Sequence, residues 1–420
     1  MYYLIETTEQ LKQFELYDYK EAFIEIIPNN NNTHPVLAEI SLIYLKPLNS
    51  VKGFMLCVNH SESFNLSLND VEKFLENFNK LYTRDKKYIL HLITLKNLWD
   101  ISYLNNYEIS PTTIHKIFNN KFSSYNKLNN IIPISKHYEL CEKIFDDLQS
   151  NIKKETTKYE EFFNNKISIV FNAIERNGIK IDKQIFEEYF YFNDNNFVYT
   201  NYNNKTHTTR PSNSWNGVNY TALKKDNGCR KAFIPRNDYL LEMDITAYHP
   251  TLISSLINYK FPDENIHGHF AELYGVNYDK AKQITFKQLY GGVFEQYKHL
   301  EFFDKTSQYI EELWNEFQSK EYIEIPISHY IINKNNKEII TPQKLFSWYI
   351  QGIETALDTL ILWDILVLLN KHNTKIIHTV FDSFLFDVDV NEEYILDKIR
   401  IIFKKYNLNI KEKKGNSYEF

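Results

Sequence analysis

The chain has 420 residues, enough for two or three domains, and its apolar content of 43% indicates a globular protein and excludes a disordered one. Its formal net charge of −6 argues weakly against a nucleic-acid enzyme, although a local positive groove, not the mean charge, decides contact with phosphates. The three cysteines, Cys57, Cys141 and Cys229, are too far apart for a disulfide framework or a zinc site, which is typical of a reducing compartment.

The first third of the chain alternates strand-like and helix-like patterns. The predicted strands cover Phe23–Ile27, Leu37–Leu45 and Tyr88–Leu95, and a predicted helix opened by Asp70 covers Leu68–Leu81. The highly charged segment Lys153–Glu161 is the predicted domain boundary, so residues 1–152 form a first domain.

Beyond this boundary we predict a helix over Glu160–Arg176 that stops at Asn177-Gly178, followed by an extended polar segment over Asn193–Ser214. The later predicted strands are Tyr239–Asp244, Lys375–Phe381, Phe384–Val388 and Leu408–Lys413, with Asp382-Ser383 as a tight hairpin turn. The later predicted helices are Pro250–Asn258, Asp279–Tyr290 and Phe346–Leu369. The most apolar helical run contains Asp364 and is too short for a bilayer, and no signal peptide begins the chain, so we expect a soluble cytoplasmic protein without a membrane partner.

The most informative segment reads A-K-Q-I-T-F-K-Q-L-Y-G-G. Steps of four residues keep side chains on nearly the same face of a helix, so Lys282, Phe286 and Tyr290 form one stripe. A cation followed by two rings suits a polyphosphate at one end and a sugar or base at the other. A lone lysine more often lies on a solvated face, and the two rings more often lie in a core. The interpretation of the stripe as a nucleotide-binding surface therefore depends on the residues that bracket it.

Two aspartates bracket the stripe, and each ends an apolar strand. If the strands of Asp244 and Asp382 are neighbours, the two carboxylates converge at one edge of a sheet, where a hard divalent cation relieves their repulsion. Two Mg²⁺ ions held there would serve an in-line phosphoryl transfer, whereas each aspartate taken alone is more often a turn residue or a helix cap. The planar fork of Arg210, within the run T-H-T-T-R-P-S-N-S, suits a phosphate or a base edge.

These segments together resemble the family A DNA polymerases, the group of bacterial DNA polymerase I. The run Thr206–Pro235 resembles the stretch before the first catalytic strand of that family, and L-E-M-D-I-T-A-Y-H-P resembles its first polymerase motif. The segment I-H-G-H-F-A-E-L-Y-G-V resembles the helix that leads into the fingers, and the Lys282 stripe matches the fingers motif. Further matches are Y-I-Q-G-I-E-T-A, T-V-F-D-S-F-L-F-D-V and the thumb-like A-I-E-R-N-G-I-K-I-D.

The resemblance implies an α+β right hand, with a truncated thumb over residues 153–205, a palm over 206–260 and 341–420, and fingers over 261–340. It implies a template-directed DNA polymerase that extends a primer with dNTPs, using two Mg²⁺ ions, or Mn²⁺, held by Asp244 and Asp382. Lys282 would contact the triphosphate and protonate the leaving pyrophosphate. Nucleotide contacts would come from Lys282, Phe286, Tyr290, His249 and Lys280, and primer-template contacts from Arg210, Asn213, Asn219, Arg230, Gln351 and Gly291. We expect a monomer that works with replication accessory proteins in a bacterial or infected host cell. The short thumb and the abundance of residues with AT-rich codons favour a viral or mobile-element origin.

The sequence also departs from the family pattern. His249 replaces the glutamate that excludes a ribose 2′-OH, and Tyr278 replaces an arginine, so that triphosphate contact shifts to Lys280 or Lys287. Phe381 and Ser383 flank Asp382 where the family has histidine and glutamate. A shortened thumb neutralises fewer phosphates and should weaken the grip on a duplex.

Residues 1–152 occupy the place of the family's 3′–5′ exonuclease and resemble its ribonuclease-H-like α/β fold loosely. Phe23 stands where the first exonuclease motif needs an aspartate, which leaves Glu25, while Asp100 and either Glu142 or Asp146 would stand for later motifs. Since a metal pair needs several carboxylates, we expect this domain to have no exonuclease activity.

Two other hypotheses remain open from the sequence. His249 favours a polymerase or primase with relaxed sugar selection that also uses ribonucleotides. The acidic net charge and the missing glutamate favour a catalytically degenerate, DNA-binding replisome scaffold.

Overall fold

The computed structural model describes residues 2–15, 19–102, 128–152, 155–334 and 339–420. The chain divides into two compact units, Met1–Asn172 and Ala173–Phe420. This division falls later than the boundary predicted after residue 152, because the helical run predicted over Glu160–Arg176 supplies residues to both units. Of the helices in the described ranges, none has the length and apolar composition that a membrane span requires.

The first unit is built on a six-stranded sheet with helices on its faces. Its elements are β1 (Tyr3–Ile5), α1 (Thr8–Glu15), β2 (Glu21–Pro28), β3 (Ile40–Pro47), β4 (Phe54–Cys57), α2 (Leu68–Leu75), β5 (Lys80–Thr83), α3 (Lys86–Leu92), β6 (Leu98–Asp100), α4 (Ile134–Ile152), α5 (Lys158–Phe162) and α6 (Ser168–Asn177), with a π-helical turn over Phe163–Ile167 between the last two. The strand order is β1-β4-β3-β2-β5-β6. Strands β2, β3 and β4 form an antiparallel meander, and β5 and β6 continue the sheet in parallel with β2.

Both faces of this sheet are buried, which explains the unbroken apolar runs of its strands. Ile24 and Ile26 of β2 point into one hydrophobic cluster, and Phe23 and Ile27 point into another on the opposite face. The strand predicted over Phe23–Ile27 is therefore confirmed, and β3 lies slightly later in the chain than the strand predicted over Leu37–Leu45.

Two predictions in this unit are wrong. The strand predicted over Tyr88–Leu95 is the helix α3, because the Asp85 side chain accepts the backbone N–H of Tyr88 and caps a helix start. The helix predicted over Leu68–Leu81 ends at Leu75, and Lys80–Thr83 pairs with β2 instead. Ser67, rather than Asp70, is the N-cap of α2, since its hydroxyl accepts the Asp70 N–H at 3.1 Å.

The second unit contains a four-stranded antiparallel sheet of order β15-β16-β12-β17. After the C-terminal part of α6 its elements are β7 (Ile179–Lys180), α7 (Lys183–Tyr189), β8 (Phe197–Val198), β9 (Tyr202–Asn203), β10 (Ser212–Trp215), β11 (Val218–Asn219), β12 (Tyr239–Ile245), α8 (Tyr248–Leu256), α9 (Ile266–Tyr274), α10 (Tyr278–Gly291), α11 (Glu301–Lys320), β13 (Tyr322–Glu324), β14 (Ile331–Asn333), α12 (Pro342–Leu368), β15 (Lys375–Val380), β16 (Ser383–Val388), α13 (Tyr394–Lys405) and β17 (Ile410–Gly415). The predicted strands and helices from Tyr239 onward are confirmed within a few residues at each end.

The central sheet is apolar on both faces. Leu240, Ile377 and Leu385 join the cluster formed with the short strands before β12. On the opposite face, Phe384 packs on Phe403 of α13 with ring centroids 5.2 Å apart. Between β15 and β16 the turn consists of Phe381 and Asp382, while Ser383 is the first residue of β16, so the predicted Asp382-Ser383 turn lies one residue earlier. Phe381 has a positive φ of 55°, which marks a tight reversal.

Candidate active site

Strand pairing brings Asp244 and Asp382 together, although they are far apart in sequence. Asp244, near the end of β12, lies opposite Ser383 of β16 in the antiparallel register. The backbone N–H of Ile245 donates to the Asp382 carbonyl at 2.8 Å, which fixes the turn beside the end of β12. Both aspartates line one cavity of about 410 Å³. The convergence expected from the sequence is therefore present in the structure.

The two carboxyl groups lie in an environment that opposes their ionisation. Burial, together with the charges of Asp244 and Glu354, raises the pKa of Asp382 to about 6. Burial and the charge of Glu242 also raise the pKa of Asp244, and Lys225 and Lys282 oppose this shift. A divalent cation bound between the carboxylates of Asp244 and Asp382 would offset the repulsion between their negative charges, so the pair fits a hard cation. Within the described ranges, no cluster of three or more histidine, cysteine or acidic residues is arranged to hold a metal.

The predicted stripe of α10 faces the same cavity. Asn277 caps the helix by accepting the Lys280 N–H at 2.9 Å. Lys282, Phe286 and Tyr290 all line the cavity, and the rings of Phe286 and Tyr290 are nearly parallel, with centroids 6.1 Å apart. The stripe therefore offers an exposed ammonium group followed by a pair of stacked rings.

A buried ionic cluster forms the wall behind the rings. Glu354 of α12, only 1% exposed, accepts from Arg210 at 2.8 Å and contacts Nε2 of His249 at 2.6 Å. Nδ1 of His249 contacts the Tyr290 hydroxyl. Burial opposes ionisation of Glu354, but the contacts with His249 and Arg210 outweigh it and hold its pKa below the usual range. The Arg210 guanidinium also lies 3.8 Å from the centroid of the Phe381 ring.

Sequence reasoning missed several residues of this wall. Glu354 and Asp358 are four residues apart on a mostly apolar helix, and Asp358 accepts from the Tyr248 hydroxyl at 2.9 Å. Two buried carboxylates on one face of an apolar helix were the signal that could have revealed them. His267 of α9 and Lys411 of β17 also line the cavity. Their roles depend on strand register and helix packing, which a single sequence does not display.

Of the predicted site residues, the cavity collects Arg210, Asp244, His249, Lys282, Phe286, Tyr290, Gln351 and Asp382. The structure places the others outside its lining. Asn213 is 1% exposed and donates to the Thr200 hydroxyl at 3.0 Å, so its amide faces the protein interior. Arg230 donates to the Leu223 carbonyl at 2.9 Å and lies over the Tyr418 ring.

The remaining three predicted residues are exposed. Asn219 accepts the Thr221 N–H at 3.1 Å and lines a second cavity near Tyr189. Lys280 lies in the first turn of α10, and Gly291 ends that helix with open space where a side chain would begin. These three residues are not brought to the aspartate pair.

In the first unit, the residues considered for exonuclease chemistry are engaged by the protein itself. Phe23 is completely buried, and Glu25 pairs with Arg84 at 3.0 Å. Asp100 accepts the backbone N–H groups of Lys86 and Ser102. Glu142 accepts from the Tyr44 hydroxyl at 2.7 Å and from Lys46, whereas Asp146 is exposed on α4.

Comparisons with known proteins show which fold the chain has. No family model and no curated protein matches the amino-acid sequence. Among solved structures, the chain is similar to the POL domain of Pol1 from M. smegmatis, a structure in complex with DNA primer-template and dNTP. The match has a TM-score of 0.72 and covers 100% of this chain and 99% of that domain at 10% sequence identity. The fold is therefore a mixed α/β fold of the kind found in that polymerase domain.

Proposed function

We propose that the protein is a template-directed DNA polymerase that adds deoxynucleotides to a primer 3′ end by phosphoryl transfer. The observation that carries the proposal is the convergence of Asp244 and Asp382 in one cavity opposite Lys282 and two stacked rings. The likeness in fold to a polymerase domain in complex with DNA primer-template and dNTP supports the same conclusion. The combination favours an enzyme over a DNA-binding scaffold, since a scaffold has no need of two half-buried carboxylates side by side.

The carboxylates of Asp244 and Asp382 would hold Mg²⁺, or Mn²⁺. When bound, two such ions stabilise the attacking and leaving oxygens of an in-line displacement. The sheet supplies the precision, because Asp244 is fixed by pairing on both sides of β12 and Asp382 by the tight turn beside it. These rigid positions need no rearrangement when charge develops.

The other groups in the cavity would place the nucleotide and the primer. The Lys282 ammonium suits the triphosphate and can supply a proton to the leaving pyrophosphate. The stacked rings of Phe286 and Tyr290 suit a base and a sugar. Gln351, whose side-chain amide donates to the Ser347 hydroxyl at 3.0 Å, lies on α12 where a primer end would reach the aspartates. In this proposal α9 to α11 belong to the fingers and the β12 sheet belongs to the palm.

For the first unit we propose a ribonuclease-H-like fold without exonuclease activity. An antiparallel meander extended by two parallel strands supports the fold. The internal partners of Glu25, Asp100 and Glu142 support the lack of activity, because these acids already neutralise cations or accept hydrogen bonds.

Primer extension on a defined template tests the proposed function. The wild-type chain should extend a primer with dNTPs only when Mg²⁺ or Mn²⁺ is present. Asp244→Asn and Asp382→Asn should each come close to abolishing extension. Asp364→Asn, which removes a carboxylate of α12 outside the cavity, is the matched control and should extend normally. Near-normal rates for either active-site variant would reject the mechanism.

One observation favours a second candidate, a polymerase with relaxed sugar selection. His249 is fixed between Glu354 and Tyr290, beside the rings that would receive the sugar. With an imidazole at this position, the glutamate that would exclude a ribose 2′-hydroxyl is missing, which favours acceptance of ribonucleotides. Single-nucleotide incorporation with paired dNTPs and rNTPs distinguishes the two candidates.

A further inference from the structure

The cavity holds three cationic side chains in different electrostatic situations. Arg210 is ion-paired with the buried Glu354, so its charge is already balanced. Lys282 and Lys411 line the same cavity and form no ion pair with any residue in the described ranges. Two ammonium groups that make no ion pair with the described residues, beside a nucleotide site, are available for an anionic ligand.

Lys411 reaches this site through strand register. It lies directly opposite Asp244 in the antiparallel pairing of β12 with β17. Side chains of directly opposed residues point to the same face of a sheet, so the ammonium group extends beside the aspartate. The Tyr278 hydroxyl at the start of α10 lies 3.4 Å from Nζ of Lys411, and the centroid of its ring lies 5.5 Å away. A residue of β17 is thus held against the helix that carries Lys282.

His267 provides a second, independent indication of a ligand on this side. Its ring is 3% exposed and lines the cavity, and its Nδ1 has no hydrogen-bond partner among the described residues. Burial, followed by the charges of Lys282 and Lys411, lowers the pKa of His267 to about 4. The ring is therefore neutral at pH 7, with one nitrogen unsatisfied, and such buried polar atoms call for a partner.

We propose that Lys411 is a phosphate-binding residue that, with Lys282, holds the terminal phosphates of the incoming nucleotide and then the pyrophosphate product. Tyr278 positions the ammonium group. This inference rests on the proposed function and replaces the interpretation that Lys280 or Lys287 supplies the second cation, because those side chains are exposed and outside the cavity lining. Tyr278 then has a role in the triphosphate site, because it contacts Lys411, which β17 places beside Asp244.

Steady-state kinetics of the full chain test the proposal. In Lys411→Ala, the KM for dNTP should rise and inhibition by pyrophosphate should weaken, each by about 10- to 100-fold, because a charge-assisted contact to phosphate is lost. The kcat should fall less than the KM rises, and Lys411→Arg should restore most of both. Lys414→Ala, on the same strand but ion-paired with Glu393 outside the cavity, should stay within about twofold of wild type, since exposed ion pairs contribute little. Wild-type KM and pyrophosphate inhibition in Lys411→Ala would overturn the proposal.

Direct binding of tripolyphosphate separates this proposal from the proposed function. Calorimetry with the full chain and Mg²⁺ should show binding to wild type and Lys414→Ala, and much weaker binding to Lys411→Ala. This result would support the subsite even if primer extension failed. Absence of tripolyphosphate binding to the wild-type chain, or equal binding to wild type and Lys411→Ala, would refute it.

Discussion

At the scale of single residues, Glu354 organises the wall of the cavity. Its buried carboxylate balances Arg210 and orients His249, which in turn contacts Tyr290. Removing one member of a buried ionic cluster leaves the others desolvated without compensation. The cluster therefore links α12, the loop that carries Arg210 and the stripe of α10 in one electrostatic unit.

Glu354→Gln should lower the free energy of unfolding by about 3 kcal/mol, at the lower end of the range for broken buried pairs because Arg210 is partly exposed. Urea denaturation of Glu354→Gln measures the change, with Asp364→Asn as the control for loss of a carboxylate on the same helix. A loss no larger than that of the control would show that the cluster contributes nothing to stability.

His249→Ala should raise the ratio of rNTP to dNTP incorporation by about tenfold or more. The imidazole is fixed by Glu354 and Tyr290, and in the proposed complex it would lie beside the sugar, where loss of this volume alters discrimination by about 1–3 kcal/mol. Single-turnover incorporation of matched dNTP and rNTP measures the ratio. An unchanged ratio would mean that His249 plays no part in sugar selection.

Asp382 should cost stability in the absence of a divalent cation. The pKa of Asp382 in the folded state, about 6, lies above its ordinary value. Above pH 6 the carboxyl group is ionised in both states, and its charge is less favourable in the folded state than in the unfolded one, which lowers stability. We expect Asp382→Asn, in the presence of a chelator, to stabilise the fold by roughly 1–2 kcal/mol at pH 7.5. The gain should shrink as the pH falls through 6 and vanish near pH 4. Denaturation at several pH values tests this, and a loss of stability at pH 7.5 would contradict it.

At the scale of elements, a site residue could be predicted from the sequence where the local pattern of apolar and polar residues determines its strand or helix. Asp244 and Asp382 could be predicted because each lies at the end of an apolar run that is typical of a buried strand. Lys411 could not, because β17 reads I-K-E-K-K-G, a pattern typical of an exposed edge. The register with β12 places Lys411 directly opposite Asp244, while Lys413 on the same face lies opposite Glu242 and pairs with it. Similarly, Asn213 has a polar loop sequence around it, and tertiary packing buries it.

The helix α3 shows the opposite failure. The run Y-I-L-H-L fits a strand as well as a helix by composition, and short apolar runs are ambiguous. The start of the helix is decided by one local hydrogen bond, from the Tyr88 N–H to Asp85 at 2.9 Å. The apolar pattern alone therefore does not distinguish helix from strand in this segment, whereas the Asp85 cap does.

Asp85→Ala should therefore destabilise the chain by about 1 kcal/mol, and Asp85→Asn by much less, because asparagine caps helices about as well as aspartate. Thermal or urea unfolding of the two variants measures the difference. Equal losses for both would indicate that the charge of Asp85, rather than its capping hydrogen bond, matters at this position.

At the scale of the whole molecule, this chain and the POL domain of Pol1 have similar folds although few of their residues are identical. The similarity to the POL domain of Pol1 extends over the full chain at 10% identity. Buried periodicity and a few polar positions are sufficient to specify such an arrangement, since cores tolerate extensive exchange when volume and pattern are kept. The resemblance was therefore detectable from short motifs in the second unit, while the first unit, with no intact motif, gave only a loose match.

The first unit yields the last prediction. Glu25 is paired with Arg84, and Asp100 accepts two backbone N–H groups, so both acids that a 3′–5′ exonuclease would need for metal ions already contact the protein's own donors. The full chain should show no Mg²⁺-dependent removal of a mismatched primer 3′ end, and Glu25→Ala should leave primer length unchanged. Gel analysis of an end-labelled mismatched primer, with no dNTPs added, measures this. Trimming by the wild-type chain that disappears in Glu25→Ala would contradict this prediction.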